Sequence, residues 1–220
     1  MTDQLNVLLL VGGAWYHDQP EHRQVLSDML KDEFALTMAD DASVLTAENL
    51  AQYDVVADYS SWWEPTDAQN QALLDAVAGG KGYVCLHPAS ASFWNSPDHL
   101  DMIGGRFVMH DPYKTFVVEV GKPDYYTRRQ IESGQLQAHV HPIVQDIDDF
   151  ELADELFVIQ GNQKEWDILA RAEGHPVVFT KSWGQGRVVS IALGHDDRCL
   201  TNPNVERIYV RGIRWAGRQL

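Results

Sequence analysis

Four histidines sit beside turn residues rather than on apolar faces: His17, His87, His110 and His195. An imidazole titrates near neutral pH, so it can act as acid, base or, when neutral, metal ligand. Asp18 follows His17 and Asp196 follows His195. The expected division of labour puts His87 and His195 at the chemistry, handling protons or holding a metal, with Asp196 orienting His195. His17, Asp18 and His110 complete the polar site. Any one of these histidines alone reads as well as a hydrogen-bonded structural residue; their weight comes from a common position at predicted strand ends. A second group, Trp62, Trp63 and Glu64, follows another predicted strand. Indoles usually serve a core or an interface, but in such a loop they can stack on a sugar face, which makes these three candidates for substrate binding.

Two other chemistries need weighing. Cys85 lies near His87, and His195 with Asp197 forms an H-x-D pair, the parts of a cysteine-histidine amidotransferase. That reading fails on geometry. Cys85 stands two residues before the corner at His87, so its thiol points into the sheet, and a buried thiol without a cationic neighbour is inert. Zinc accepts the nitrogen and oxygen donors that His17, His87, His110 and His195 offer with Asp18 and Asp196. No H-E-x-x-H or paired-cysteine spacing supports it, and a site built from distant loops is invisible to spacing rules.

The elements that must position these residues follow from the hydrophobic pattern. LNVLLLV at 5–11 is a continuous apolar run, as expected for a strand covered on both faces, and Gly12-Gly13 ends it. Pro20 opens a helix carrying Val25, Leu26, Met29 and Leu30 on one side. Strands are expected at 34–39 and 54–59, a short helix at 46–50, and a helix from Thr66 closed by Gly79-Gly80. GKGYVCLHPA at 80–89 is a glycine pair, a short strand, then His87 at an abrupt corner, with small residues Cys85 and Ala89 two positions to either side. That is the pattern of a nucleophile elbow presenting an imidazole. A short helix at 98–103 and strands at 115–120, 154–159, 166–172, 176–183 and 187–193 follow, then a helix at 203–215. Alternating strands and helices imply an open, mainly parallel sheet with helices on both faces, in which ligands bind beyond the carboxyl ends of the strands.

The remaining composition sets limits. At 220 residues the best expectation is a single domain spanning 1–220. A net charge of −15 argues against a nucleic-acid partner, because phosphate binding needs clustered Lys and Arg. Two cysteines give no disulfide framework, no basic segment precedes the first apolar run, and no apolar stretch is long enough for a bilayer. A cytoplasmic protein without a membrane partner is the expectation, and aromatics in loops leave a homo-oligomer open.

Over nearly its whole length the chain resembles the ThuA-like family, named for trehalose utilisation. The matching pieces are the first strand with the His17-Asp18 loop, TDAQ leading to GGKGYVCLHPAS, then IGGRFVMH, HPIV, DELF, GQGRVVSIALGHD and NPNVERIYVRGIRWA. The resemblance implies a flavodoxin-like, class I glutamine amidotransferase-like α/β fold in which histidine, here His87, replaces the nucleophile. It also implies carbohydrate catabolism, beside oxidoreductases that produce keto-sugars. Pro88 departs from the small polar residue relatives often carry, and the polar stretch from Pro123 to Gln137 is a candidate lid. Together these point to an enzyme acting on a sugar or keto-sugar, an isomerase, lyase or hydrolase, through a histidine-rich site with or without a divalent metal such as zinc. The contrasting expectation is a non-catalytic carbohydrate-binding or regulatory protein.

Overall fold

The apolar runs become neighbouring strands. A computed structural model describes residues 4–122, 129, 132–134 and 140–220; the proposed lid, Pro123 to Gln137, lies largely outside the described residues. Strand β1 (Asn6–Gly13) leads through the His17 loop to α1 (Pro20–Leu30), then β2 (Ala35–Ala39), α2 (Ala47–Leu50), β3 (Val55–Ser61), α3 (Asp67–Ala78) and β4 (Gly82–Leu86). Thr66 caps α3 in a reciprocal box with Gln69, so the helix start read from Thr66 has a mechanism. There follow α4 (Pro97–Met102), β5 (Gly105–His110), β6 (Lys114–Val120), β7 (Phe150–Asp154), β8 (Phe157–Gly161), β9 (Asp167–Ala172), β10 (His175–Trp183), β11 (Gly186–Ile191), α5 (Asp197–Leu200) and α6 (Pro203–Ala216).

Among the described residues nine strands form one sheet in the order β2-β1-β3-β4-β11-β10-β9-β6-β7, while β5 and β8 form a separate antiparallel pair. Along β1 the side chains alternate between two cores: Leu8 and Leu10 pack with Leu50 and Leu73, whereas Val7, Leu9 and Val11 pack with Leu26, Leu30 and Ile208. Both faces of the strand are therefore covered by helices, which accounts for its unbroken apolar run. Burying each such leucine is worth about 1.5–3 kcal/mol.

The expectation of a mainly parallel sheet needs correction. The strands β2-β1-β3-β4-β11 are mutually parallel, but β11-β10-β9-β6-β7 pair antiparallel throughout. Tight turns dictate this. Glu173 (φ 48°) and Gly174 (φ 85°) alone join β9 to β10, the doubly positive geometry of a two-residue hairpin, and Gly184-Gln185 alone joins β10 to β11. A second correction concerns the strand expected at 154–159. It is two strands, β7 in the large sheet and β8 in the small one, with Glu155 and Leu156 between them. Among the described residues no helix is long and apolar enough to cross a membrane.

Candidate functional site

The site gathers at the carboxyl ends of β1, β4 and β11 and at the break between β7 and β8. At the end of β1, Gly13 has φ 106°, and a Cβ there would stand 1.8 Å from the Ser61 carbonyl oxygen. Only glycine lets β1 turn away beside β3 here. The loop that follows hydrogen-bonds the His17 amide to the Ala14 carbonyl and buries the His17 ring. At the end of β4, His87 has φ 21° and opens a short 3₁₀ turn, His87–Ala91. A non-glycine residue in the left-handed region is a strained position that surrounding structure must hold. Two contacts hold it: His87 Nδ1 donates to the Ala192 carbonyl at 2.8 Å, and the ring packs on Phe157 at 3.9 Å between centroids. At the end of β11, Gly194 (φ 125°) leaves no room for a Cβ against the Tyr209 hydroxyl, and Tyr59 donates to the Gly194 carbonyl at 2.6 Å. His195 is thereby fixed over the cluster.

The loops converge as the strand-end reading expected. His17 Nε2 lies 3.1 Å from His195 Nδ1, and the ring centroids of His17 and His87 are 5.5 Å apart. The fourth member is Glu155, which no spacing rule had singled out. Its Oε2 stands 3.2 Å from His195 Nδ1 and 3.9 Å from His87 Nε2. One donor atom from each of His17, His87, Glu155 and His195 lies within 4.8 Å of every other, so these four residues could hold a metal. The DELF stretch, already matched to the family, is the signal that contained Glu155.

Electrostatics divides the four into two kinds. Burial, with repulsion from His195, lowers the pKa of His17 to about 3, and burial with repulsion from His17 holds His87 well below the usual histidine value. Both stay neutral, with lone pairs available. His195 behaves oppositely: burial disfavours its charge, but the hydrogen bond and charge of Glu155 outweigh this and raise its pKa. Burial likewise opposes ionisation of Glu155, and the contact with His195 overrides it, so its pKa is lowered. A pair held neutral thus faces a pair whose charged forms favour each other, the separation of pKa values that assigns acid and base roles in active sites.

The other expected residues are placed as follows. Asp196 does not orient His195. It caps α5 through the Cys199 amide and meets Arg198 and Tyr113, while Glu155 takes the place beside His195. His110 stands outside the cluster, its Nδ1 donating to the Asp111 carbonyl and lying 3.7 Å from Glu155 Oε1. Asp18 is engaged by Arg23 at 2.5 Å. Trp63 is buried in the core, whereas Trp62 is half exposed and donates to the Tyr16 hydroxyl at 2.9 Å. Glu64 accepts from the exposed Trp94 at 3.1 Å. Tyr16 contacts Trp15 and reaches His17 at 4.8 Å between centroids, so an exposed aromatic rim that spacing had not predicted adjoins the cluster. Cys85 is buried and burial pushes its thiol far up, which leaves it inert.

Buried neutral histidines also set acid stability. His17 and His99 have folded pKa values of about 3, and His87 lies well below its usual value, while the unfolded chain protonates all three near 6.5. Their contribution is therefore full above pH 6.5 and is lost as pH falls toward the folded values. Asp58 and Asp154, whose carboxyls burial pushes up, Asp154 to about 6, act in the opposite sense and offset at most two of the three protons. Raised His195 acts only above pH 6.5. Denaturant titrations are expected to show stability falling by at least about 1.4 kcal/mol per pH unit between pH 6 and 4. A flat profile would mean these rings protonate within the fold.

Fold and site together define an α/β protein whose strand-to-turn elbow carries histidine. The chain belongs to the ThuA family: the family model, described as trehalose utilisation, matches residues 6–216. No curated protein matches the chain. Among solved structures, a ThuA-like protein of Parabacteroides merdae is similar with a TM-score of 0.77 and 20% identity, covering 98% of this chain and 90% of that one. A ThuA-like protein of Bacteroides uniformis gives 0.74 and 20%, covering 96% and 91%. A Salmonella typhimurium LT2 protein described as cytoplasmic gives 0.68 and 13%, covering 96% and 99%.

Proposed function

We propose that the protein is an enzyme of carbohydrate catabolism that acts on a sugar or keto-sugar at the cluster of His17, His87, Glu155 and His195. The observation that carries this is the meeting of two neutral imidazoles with a histidine-carboxylate pair at the carboxyl ends of the parallel strands, beside an exposed aromatic rim. Family membership supports the carbohydrate class. A keto-sugar acidifies the C–H bonds next to its carbonyl. Glu155 is placed to accept such a proton, with charged His195 next to the oxygen on which negative charge develops, which suits isomerisation or elimination. His17 and His87 present lone pairs to the substrate's hydroxyls or to a metal. Trp62 and Tyr16 offer flat faces to a sugar ring. With Cys85 inert, amidotransferase chemistry is not part of this reading.

The finer architecture belongs to the same proposal: a flavodoxin-like, class I glutamine amidotransferase-like single domain in its parallel half, working in the cytoplasm as a homo-oligomer on a small carbohydrate, with no nucleic-acid or membrane partner. The exposed Trp15, Trp62 and Trp94 favour one second reading, a sugar-binding or regulatory protein without turnover. Calorimetry with a panel of sugars and keto-sugars, followed by product analysis after long incubation, separates the two. Product formation is expected. Binding without product would support the binder, and neither binding nor product would overturn both.

A further inference from the structure

The geometry points to a divalent-cation site formed by His17 Nε2, His87 Nε2, His195 Nδ1 and a Glu155 carboxylate oxygen, and we propose that the ion is zinc. Tetrahedral zinc with bonds of about 2.0–2.1 Å sets its donors about 3.3 Å apart. Here His17 and His195 are separated by 3.1 Å, His195 and Glu155 by 3.2 Å, and His87 and Glu155 by 3.9 Å. The other separations lie within 4.8 Å, so side-chain movements of about 1 Å close the set around one ion.

The orphaned nitrogen of His87 argues for an ion over a purely hydrogen-bonded cluster. Among the described residues His87 Nε2 is buried without a hydrogen-bond partner, while its Nδ1–H is committed to the Ala192 carbonyl. The tautomer is fixed, and Nε2, 3.9 Å from Glu155 Oε2, carries the lone pair. A shared proton can join His17, His195 and Glu155 but leaves that lone pair unsatisfied, at a cost of about 1–3 kcal/mol; an ion satisfies all four donors at once. Outer contacts are of the kind that orient metal-bound imidazoles: a backbone carbonyl behind His87 and the Ser61 hydroxyl behind His17 at 3.3 Å. Three imidazoles and one carboxylate suit zinc better than magnesium or calcium, which prefer oxygen. His17 and His87 close the bottom of the site, whereas Glu155 and His195 are partly exposed, so a sugar oxygen can approach from that side. A bound ion would polarise a sugar carbonyl there by taking it as a fifth ligand, would take over from His195, which gives up its proton to ligate, and would leave the second Glu155 oxygen to accept the substrate proton. Of the four histidines that the sequence offered as ligands, His110 is replaced in the set by Glu155.

The inference deepens the function proposed above and rests on the same cluster being the reactive site. Its test uses no sugar, so the two can fail separately. The full chain, stripped with a chelator, is titrated with zinc chloride by calorimetry at neutral pH, and cobalt is added in parallel as a visible probe of coordination. One ion per chain with a dissociation constant below about 1 µM is expected, with a tetrahedral cobalt spectrum. Glu155→Gln, which keeps the side chain's shape, is expected to weaken zinc binding by about 100-fold or more, and Ser61→Ala by roughly 10-fold. Circular dichroism of each variant guards against misfolding, the risk that makes buried His87→Ala the less informative variant. Absence of micromolar binding, an octahedral cobalt spectrum, or zinc affinity unchanged in folded Glu155→Gln would overturn the assignment.

Discussion

Glu155→Gln is expected to lower turnover of a keto-sugar substrate by about 10²- to 10⁴-fold while leaving the fold intact. Glutamine occupies the same volume and can still hydrogen-bond His195, and the glutamate side chain is partly exposed, so the stability change should stay within about 1 kcal/mol. What disappears is the charge. Burial disfavours imidazolium at His195, and the Glu155 carboxylate is the main influence opposing it. Without that carboxylate the His195 pKa falls, and the basic limb of the pH-rate profile moves to lower pH. Steady-state rates across pH check this. An unchanged rate with an unmoved limb would remove Glu155 from the chemistry.

Asp154→Ala should give the largest loss of stability. The carboxylate is buried and accepts from the Gly194 amide at 2.8 Å, the His195 amide at 3.1 Å, the Glu155 amide at 2.8 Å and the Cys199 thiol at 3.1 Å. Burial alone favours the neutral acid and raises its pKa to about 6, against these four donors. Alanine strands three backbone N–H groups and leaves a small void. Each stranded donor costs about 1–3 kcal/mol before relaxation, so a net loss of about 3–5 kcal/mol is expected. For a chain of this size that lowers the melting temperature by roughly 10 °C. Asp154→Asn keeps one acceptor oxygen but turns an amide N–H toward other donors, and should lie between the two. Because Asp154 binds the amides of both Glu155 and His195, the alanine variant should also lose activity beyond its loss of folded protein. Thermal melts read with rates per folded molecule separate these effects.

What could be read in the sequence, and what could not, follows from local physics. His17, His87 and His195 were legible because each follows an apolar run cut short by glycine or by an abrupt corner, and in an α/β sheet such places lie at one edge. Glu155 was hidden because it fell inside the strand expected at 154–159, and only tertiary pairing breaks the chain there, assigning Asp154 to the large sheet and Phe157 to the small one. Trp62 and Trp63 are adjacent at a strand end, where neighbouring side chains take opposite sides, and nothing local says which is buried. The role expected of Asp196 lost to a rule that the sequence did contain: an aspartate opening a helix accepts an amide three residues on, here that of Cys199. The antiparallel half of the sheet was likewise present in the short Glu173-Gly174 and Gly184-Gln185 turns, which cannot join parallel strands.

The measurement closest to the central claim is proton exchange at the carbon beside a keto-sugar carbonyl, followed by proton NMR in deuterium oxide with catalytic amounts of protein. Wild type is expected to wash out that signal far faster than buffer alone, and both Glu155→Gln and His87→Ala, each confirmed folded, to lose most of the acceleration. Exchange or product formation by His87→Ala at the wild-type rate would contradict the account.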